Sequence, residues 1–224
     1  LKSMTIHKPD YTYENACSGL TCGIDEVGRA PLAGPVVAAC ALVPHEKRSE
    51  KVWSHVRDSK LLSRKKREEL NDAILETACV AIGEASVEEI ESINIYHASL
   101  LAMRRAFENM CEQYSLGINT ALIDGNAAPA LSCTTRTIIK GDSKSVSIAA
   151  ASIAAKVYRD RLMGRLHEIH PHYCWDTNAG YPVPAHLDGI MRNGITAHHR
   201  RTFAPVRNYI EYGHIELQAK LASV

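Results

Sequence analysis

Two short apolar runs near the start of the chain, residues 21–27 and 35–43, limit the fold more strongly than any other pattern in the sequence. Both are rich in Val, Ile, Leu, Ala and Cys, and a segment containing Gly and Pro separates them. Runs of this length with turn residues between them predict two buried β-strands joined by a short loop. The later segments of the chain must therefore pack on a sheet.

Helical periodicity alternates with further strand patterns along the rest of the chain. Helices are predicted over 63–78, 93–113 and 145–170, and strands over 79–86, 120–126 and 135–142. The third helix is rich in alanine and has no Gly before position 164, which predicts burial on more than one side. From Pro171 onwards, recurring Gly and Pro predict loops with short helices. This order of elements predicts an α/β fold whose mixed sheet is flanked by helices.

Composition and charge exclude several classes of protein. The chain has 224 residues, of which 46% are hydrophobic, enough for one well-buried α/β domain but not for two full domains. Because 26 basic residues stand against 25 acidic ones, any nucleic-acid site must be a local patch. The seven cysteines are scattered without CxxC or Cys/His zinc spacing, which indicates reduced thiols in a cytoplasmic protein. We expect no membrane span and no cleaved signal.

Four carboxylates fall on three predicted elements. Asp25 and Glu26 close the first strand, Asp124 ends a later strand, and Asp160 lies on the alanine-rich helix. Carboxylates forced together in a low dielectric repel one another, and divalent cations are a usual remedy. Ligands that are all oxygens favour Mg²⁺ or Mn²⁺ over zinc, and two such ions suit phosphodiester hydrolysis. Because adjacent strand residues point to opposite faces, Glu26 is expected where the strand gives way to a turn, or to act through its backbone carbonyl.

A polar stripe on the long helix supports the same site. Ser152, Lys156 and Asp160 are spaced four residues apart, so they share one face of a helix that is otherwise rich in alanine. Structural roles are the alternatives for single residues. Asp160 could be an ion-pair partner of Lys156, Asp124 a turn residue and Glu26 a surface acid.

Five blocks of the sequence resemble, in the same order, the motifs of type 2 ribonuclease H (ribonuclease HII). The blocks are "GIDEVGRAPLAGPVVAACALV", "DSKLLS", "IDGNAAP", "KGDSKSVSIAAASIAAKVYRD" and "NAGYPVPAHLDGIMRNGITAHHRRTF", and the resemblance spans roughly residues 22–206. It implies a ribonuclease H-like fold with a central mixed five-stranded sheet, flanking helices and a C-terminal helical segment. It also implies cleavage of RNA in RNA/DNA hybrids and nicking on the 5′ side of ribonucleotides embedded in duplex DNA, leaving 3′-hydroxyl and 5′-phosphate ends, with Mg²⁺ or Mn²⁺ as cofactor.

The resemblance also assigns roles to individual residues. The metal-binding and catalytic acids are Asp25, Glu26, Asp124 and Asp160. The turn that reads the ribose 2′-hydroxyl falls on Gly28, Arg29 and Ala30, and Tyr181 stacks on the deoxyribose that follows. Ala30 replaces a glycine of the family, and its methyl is expected to cost about 1 kcal/mol and weaken recognition if φ is positive or the sugar lies against it. The remaining expected substrate contacts are Lys60, Lys140, Ser152, Lys156, His199 and Arg200, together with Arg201.

A domain layout and a set of partners follow from the resemblance. Residues 1–20 are expected to form an N-terminal extension, with 1–3 a cloning remnant, and residues 207–224 a C-terminal tail. Residues 21–206 are the expected catalytic domain, including the C-terminal helical segment. The expected partners are RNA/DNA hybrids and DNA duplexes that contain ribonucleotides, and the expected state is a monomer without membrane contact.

Several alternatives remain at this point. Another metal phosphohydrolase on the same fold would use the acids but would leave the lysine and serine of the long helix and "NAGY" unexplained. A type 3 ribonuclease H typically has a lysine in the turn that follows the acid pair, where this chain has Arg29, and an additional N-terminal domain. A catalytically weak hybrid-binding module would be expected to lack one of the four acids, and none is missing. The histidines within 167–172 suggest a zinc site, but Pro171 interrupts the helical spacing and Asp176 is the only acid nearby.

Overall fold

A computed structural model describes residues 8–57 and 59–215 of the chain. The predicted remnant at 1–3 lies outside the described residues, as do Asp58 of the "DSKLLS" block and the end of the predicted tail, 216–224. Within the described part, no helix is both long enough and apolar enough to cross a membrane.

One mixed sheet of five strands forms the centre of the described residues. The strands are β1 (Thr21–Val27), β2 (Val36–Leu42), β3 (Cys79–Ala85), β4 (Thr120–Asp124) and β5 (Thr134–Ile138). Their spatial order is β3-β2-β1-β4-β5. The pairs β1/β2 and β2/β3 are antiparallel, and the pairs β1/β4 and β4/β5 are parallel. The predicted mixed sheet with flanking helices is confirmed.

Helices cover both faces of this sheet. The α-helices in the described residues are α1 (Thr12–Asn15), α2 (Arg64–Thr77), α3 (Val87–Tyr114), α4 (Val146–Ile169), α5 (Trp175–Asn178), α6 (Pro184–Asn193) and α7 (Ala204–Tyr212), and short 3₁₀ helices lie between some of the elements. Helix α3 packs on the face that contains Ile24, whereas α4 and α2 pack on the opposite face. Gly23 allows α4 to approach β1 closely, because a Cβ there would overlap the backbone of Ser147 and Ile148.

Most element boundaries agree with the sequence pattern, and helix α3 is the main difference. Ser63 is the N-cap of α2 as predicted, and its side chain accepts a hydrogen bond from the Lys66 amide. Helix α3 begins six residues before the predicted start, because Ser86 and Glu89 form a capping box. Asn94, with φ 63° and ψ 165°, then breaks the helix, and the predicted segment corresponds to the part that follows this kink.

The segment after α4 packs against the loop between β1 and β2. We call that loop, residues 28–35, the glycine turn. Leu32 of this loop shares a buried cluster with Trp175 and Leu187 of the C-terminal segment and with Met163 of α4. The short helices after Pro171 agree with the predicted loops and short helices. The C-terminal segment therefore lies directly behind the turn that follows Asp25 and Glu26.

Candidate active site

The carboxyl ends of β1 and β4 place two acids next to each other. Ile24 pairs with Ile123 in the parallel register, and Asp25 and Asp124 are the next residues in the two strands. Asp25 Oδ1 accepts a hydrogen bond from the Glu26 amide at 2.7 Å. Asp124 Oδ1 accepts one from the Gly141 amide at 2.6 Å. Both carboxylates are thus held at the end of the sheet by backbone donors.

Glu26 lies within β1, in register with Ala38, and not at the turn where the sequence pattern placed it. Its side chain is therefore on the face of the strand opposite Asp25. Its Oε1 lies 3.6 Å from Nη1 of Arg29, and its side chain is largely buried. It lines a cavity of about 190 Å³ together with Asp124 and with Tyr96 and Ser99 of α3. Asp124 thus shares this cavity with Glu26, and its charge also raises the pKa of Asp25 on the other face of β1.

Burial and mutual repulsion dominate the electrostatics of these acids. The pKa of Asp25 lies well above its ordinary value because the carboxyl is buried and the charges of Glu26, Asp124 and Asp142 repel a further negative charge. A hydrogen bond from Ser152 acts in the opposite direction on the pKa of Asp25. The pKa of Glu26 is also raised, by burial first, while Arg29 lowers it and Asp124 raises it. Negative charge is therefore concentrated at this end of the sheet.

Asp142 is a member of this group that the sequence reasoning missed. It lies in a short 3₁₀ turn after β5, is 8% exposed, and follows Gly141, whose amide bonds Asp124. The available signal was its position in "KGD" at the end of a predicted strand, the same position that singled out Asp124. The sequence pattern instead favours Asp160, on the long helix, as the fourth acid.

Asp160 occupies a different environment from the other acids. Its Oδ1 lies 2.6 Å from Nζ of Lys156, and its Oδ2 lies 3.5 Å from Nη2 of Arg67. It follows Ser152, the helix residue that bonds Asp25, by eight positions, or about 12 Å along an α-helix. The structure thus contains the ion pair that was the structural alternative for Asp160, and its geometry does not support Asp160 as a metal ligand.

The glycine turn begins directly after the acids. Gly28 has φ +95°, and a Cβ there would overlap Nε of Arg159, so glycine is required. Ala30 is exposed and is not among the described residues with positive φ. The expected backbone strain from the Ala30 methyl is therefore absent, and only direct contact with the sugar remains as a route by which it could weaken recognition.

The described acids do not by themselves form a complete set of metal ligands. Among the described residues, no group of three or more His, Cys, Asp or Glu side chains is arranged to hold a metal ion, and this includes the histidines near Pro171. The donor set nevertheless fits a hard divalent cation, because it consists of carboxylate oxygens that repel one another. A divalent cation would offset the repulsion among these carboxylates.

The family follows from a match over most of the chain. The ribonuclease HII family matches residues 22–206. The chain belongs to the ribonuclease HII family. It is 51% identical over 206 residues to ribonuclease HII from Gluconobacter oxydans, covering 91% of this chain and 97% of that protein. It is 48% identical over 202 residues to ribonuclease HII from Paramagnetospirillum magneticum, covering 90% and 98%.

The fold agrees with this assignment. The crystal structure of ribonuclease H2 from Pyrococcus horikoshii matches with a TM-score of 0.68 at 24% identity, covering 86% of this chain and 98% of that one. The ribonuclease H-like fold expected from the sequence is therefore confirmed. Ribonuclease HII proteins are metal-dependent endonucleases, which agrees with the all-oxygen character of the acid group.

Several residues expected to contact a ribonuclease HII substrate are in accessible positions. Tyr181 is 37% exposed in the loop before α6. Lys60 and Lys140 are exposed, and Lys156 is partly buried by its ion pair. Ser152 is buried, and its hydroxyl lies 3.0 Å from that of Ser59. Its contact with Asp25 makes it a support of the acid group.

Two of the expected phosphate contacts are wrong. His199 is 1% exposed and Arg200 is 0% exposed, so neither side chain reaches the surface. His199 lies within hydrogen-bond distance of His186 and Thr196, and Arg200 donates only to backbone carbonyls among the described residues. The local pattern "HHRR" resembles a surface patch, but tertiary packing encloses both residues.

Proposed function

We propose that this chain is an endoribonuclease that hydrolyses the RNA strand of RNA/DNA hybrids and nicks on the 5′ side of ribonucleotides embedded in duplex DNA. The products carry 3′-hydroxyl and 5′-phosphate ends. The observation that carries the proposal is the group of buried, mutually repelling carboxylates at the ends of β1 and β4, directly before the glycine turn. Membership of the ribonuclease HII family supports it.

Asp25, Glu26 and Asp124 would hold Mg²⁺ or Mn²⁺, with Asp142 as the fourth acid in place of Asp160. Asp142 is favoured because its negative charge raises the pKa of Asp25, which places it near the other acids. Asp160 forms ion pairs with Lys156 and Arg67. Two bound divalent cations would supply an activated water and stabilise the leaving oxygen.

The chain's own groups prepare the acids for this role. Ser152 donates to the carboxylate of Asp25 and favours its ionised form. The amide of Gly141 orients Asp124, and the guanidinium of Arg29 restrains Glu26 at the mouth of the turn. The acids on the strands and Ser152 on α4 belong to rigid elements, whereas Arg29 and Gly141 lie in the turns that follow β1 and β5.

Substrate recognition would come from the surface around the acids. The backbone of Gly28, Arg29 and Ala30 would approach the 2′-hydroxyl, and Tyr181 would stack on the next deoxyribose. Exposed basic side chains, including Lys60 and Lys140, would contact backbone phosphates, which position a duplex without reading its sequence. Recognition of duplex shape and the 2′-hydroxyl predicts little preference for base sequence.

A cleavage assay on three labelled duplexes tests this function. One duplex is DNA with a single ribonucleotide, the second is an RNA strand paired with DNA, and the third is all DNA. Each is incubated with the protein in Mg²⁺, in Mn²⁺ and in chelator. We expect cuts in the first two only, on the 5′ side of the lone ribonucleotide, and none in chelator.

The other outcomes are equally informative. Cleavage of the hybrid alone would retain a metal-dependent ribonuclease but contradict recognition of single ribonucleotides, with Ala30 as the first residue to revert to glycine. Binding of both substrates without cleavage in either metal would favour the hybrid-binding module. Gel filtration checks the expected monomer.

A further inference from the structure

The glycine turn is held by a buried guanidinium group from the C-terminal segment. Arg200 Nη2 donates to the carbonyl of Gly28 at 2.6 Å, and Nη1 donates to that of Arg29 at 3.0 Å. The carbonyl of Gly34 accepts from Nε at 2.9 Å and from Nη2 at 2.7 Å. One side chain from the C-terminal segment thus fixes both ends of the turn.

A second guanidinium, on α4, connects the same turn to the loop that carries Tyr181. Arg159 Nη2 donates to the carbonyl of Ala33 at 2.9 Å, and Nε donates to that of Pro35 at 3.1 Å. Its Nη1 donates to the carbonyl of Ala179 at 2.8 Å, two residues before Tyr181. A single planar group therefore bridges the turn and the tyrosine loop.

Backbone contacts and close packing strengthen this connection. The amide of Leu32 donates to the carbonyl of Gly180 at 2.7 Å, directly before Tyr181. The space where a side chain of residue 28 would lie is filled by Arg159. A change in the position of this guanidinium would therefore be transmitted both to Gly28 and to the tyrosine loop.

Both guanidinium groups are buried at 0% exposure, and within the described residues neither forms an ion pair with a carboxylate. Burial lowers the pKa of Arg159 to about 10 and that of Arg200 to about 9, the latter also through the charge of Arg159. Both remain charged at neutral pH. Two buried cations without a counter-ion are costly, so an apolar side chain of similar size would serve a purely space-filling role better.

We propose that Arg159 and Arg200 are positioning residues for ribonucleotide recognition. Their guanidinium groups fix the glycine turn relative to the Tyr181 loop, so that the 2′-hydroxyl and the following deoxyribose are read together. This inference rests on the proposed function. Neither arginine touches the substrate, since both are enclosed by backbone carbonyls.

The two substrate types should depend differently on this geometry. A lone ribonucleotide offers one register in which a 2′-hydroxyl meets the turn while a deoxyribose meets Tyr181. An RNA strand offers a 2′-hydroxyl at every position, so a slightly displaced turn still meets one. Loss of positioning should therefore reduce cleavage at the lone ribonucleotide much more than cleavage of the hybrid.

The test compares Arg200→Lys and Arg159→Lys with the unaltered chain on both substrates. Lysine keeps the charge but cannot reproduce the planar fork of donors. We expect kcat at the lone ribonucleotide to fall at least tenfold more than kcat on the hybrid, because small displacements cost large factors in rate. KM should stay within about twofold, since the phosphate contacts are unchanged. Arg207→Lys, at an exposed position on α7, is the matched control. It should change neither kcat nor KM on either substrate.

The outcomes separate this inference from the proposed function. Failure of the unaltered chain to cut either substrate contradicts the proposed function and is seen before any variant is compared. With an active unaltered chain, equal losses on both substrates, or no loss in two folded lysine variants, would overturn the positioning role. Failure of both lysine variants to fold, judged by circular dichroism, would overturn it in favour of a purely structural role.

Discussion

The acid end of the sheet and the arginine pair behind the glycine turn both bury charge, but they treat it in opposite ways. Around Asp25, burial and then three like charges raise the pKa of the carboxyl, and the described donors to the carboxylate are few. Around Arg159 and Arg200, the described N–H groups meet backbone carbonyls at 2.6 to 3.1 Å. The carboxylates repel one another in the absence of a cation, whereas each nitrogen of the two guanidinium groups already donates to a backbone carbonyl.

This difference assigns separate tasks to neighbouring parts of one site. Repulsion among carboxylates creates affinity for divalent cations at the cost of stability in their absence. Several hydrogen bonds from two guanidinium groups hold a backbone that must approach a ribose closely. Substitutions in the two regions should therefore fail in distinguishable ways.

The largest expected effect is at Asp124. Asp124→Asn removes a carboxylate charge but keeps an oxygen that can accept from Gly141, so the fold should be preserved while activity falls below about a thousandth of the unaltered value. Cleavage of the single-ribonucleotide duplex measures this, with thermal unfolding as the check on folding. Asp188→Asn, at an exposed ion pair on α6, is the control. Activity of Asp124→Asn near that of the control would rule out this ligand.

A paired comparison decides which residue is the fourth acid. Asp142→Asn should reduce kcat by about 100-fold, because its charge acts on Asp25, whereas Asp160→Asn should reduce it less than about tenfold. Steady-state kinetics at saturating Mg²⁺ measure both. The reverse order of the two losses would restore Asp160 as the metal-binding acid.

The buried His199, next to Arg200 in the chain, should make the stability of the fold depend on pH. Burial, followed by the charges of His186, His198 and His170, lowers the pKa of His199 to about 3. The unfolded imidazole takes up a proton below about pH 6.5, but the folded one does not, so the free energy of unfolding falls as the pH decreases through this range. Between pH 7 and pH 5 this amounts to about 2 kcal/mol.

Urea unfolding of the unaltered chain and of His199→Gln at both pH values isolates this contribution. The glutamine variant should lose about 2 kcal/mol less than the unaltered chain when the pH is lowered. Parallel losses in the two proteins would show that His199 is not responsible.

Much of the fold was predictable because it follows from local pattern. The apolar runs of β1 and β2 and the long helix α4 have the residue periodicity typical of strands and helices, and turn residues mark their ends. The early start of α3 was missed because it depends on the capping pair Ser86 and Glu89, which precedes a weakly periodic stretch. The kink at Asn94 depends on one residue with positive φ.

The site was less predictable because the sequence does not show which group a charged side chain contacts in the folded protein. Asp25, Glu26 and Asp124 lie at strand ends, a position that sequence pattern identifies. Asp160 was grouped with them, but its contacts are with Lys156 and with Arg67, which is distant in sequence. Arg200 likewise resembles a surface cation until the carbonyls of the glycine turn surround it. Such partners depend on tertiary packing, which no local pattern contains.

The most direct test of this account is the thermal unfolding of the unaltered chain and of Asp25→Asn, each with chelator and with Mg²⁺. Because ionisation of the buried Asp25 destabilises the folded state, the variant should be about 1 kcal/mol more stable in chelator, a rise of about 2–4 °C in Tm. Mg²⁺ should raise the Tm of the unaltered chain and have little effect on the variant. A lower Tm of the variant in chelator, or an unaltered chain that does not respond to Mg²⁺, would contradict an acid group that awaits a cation.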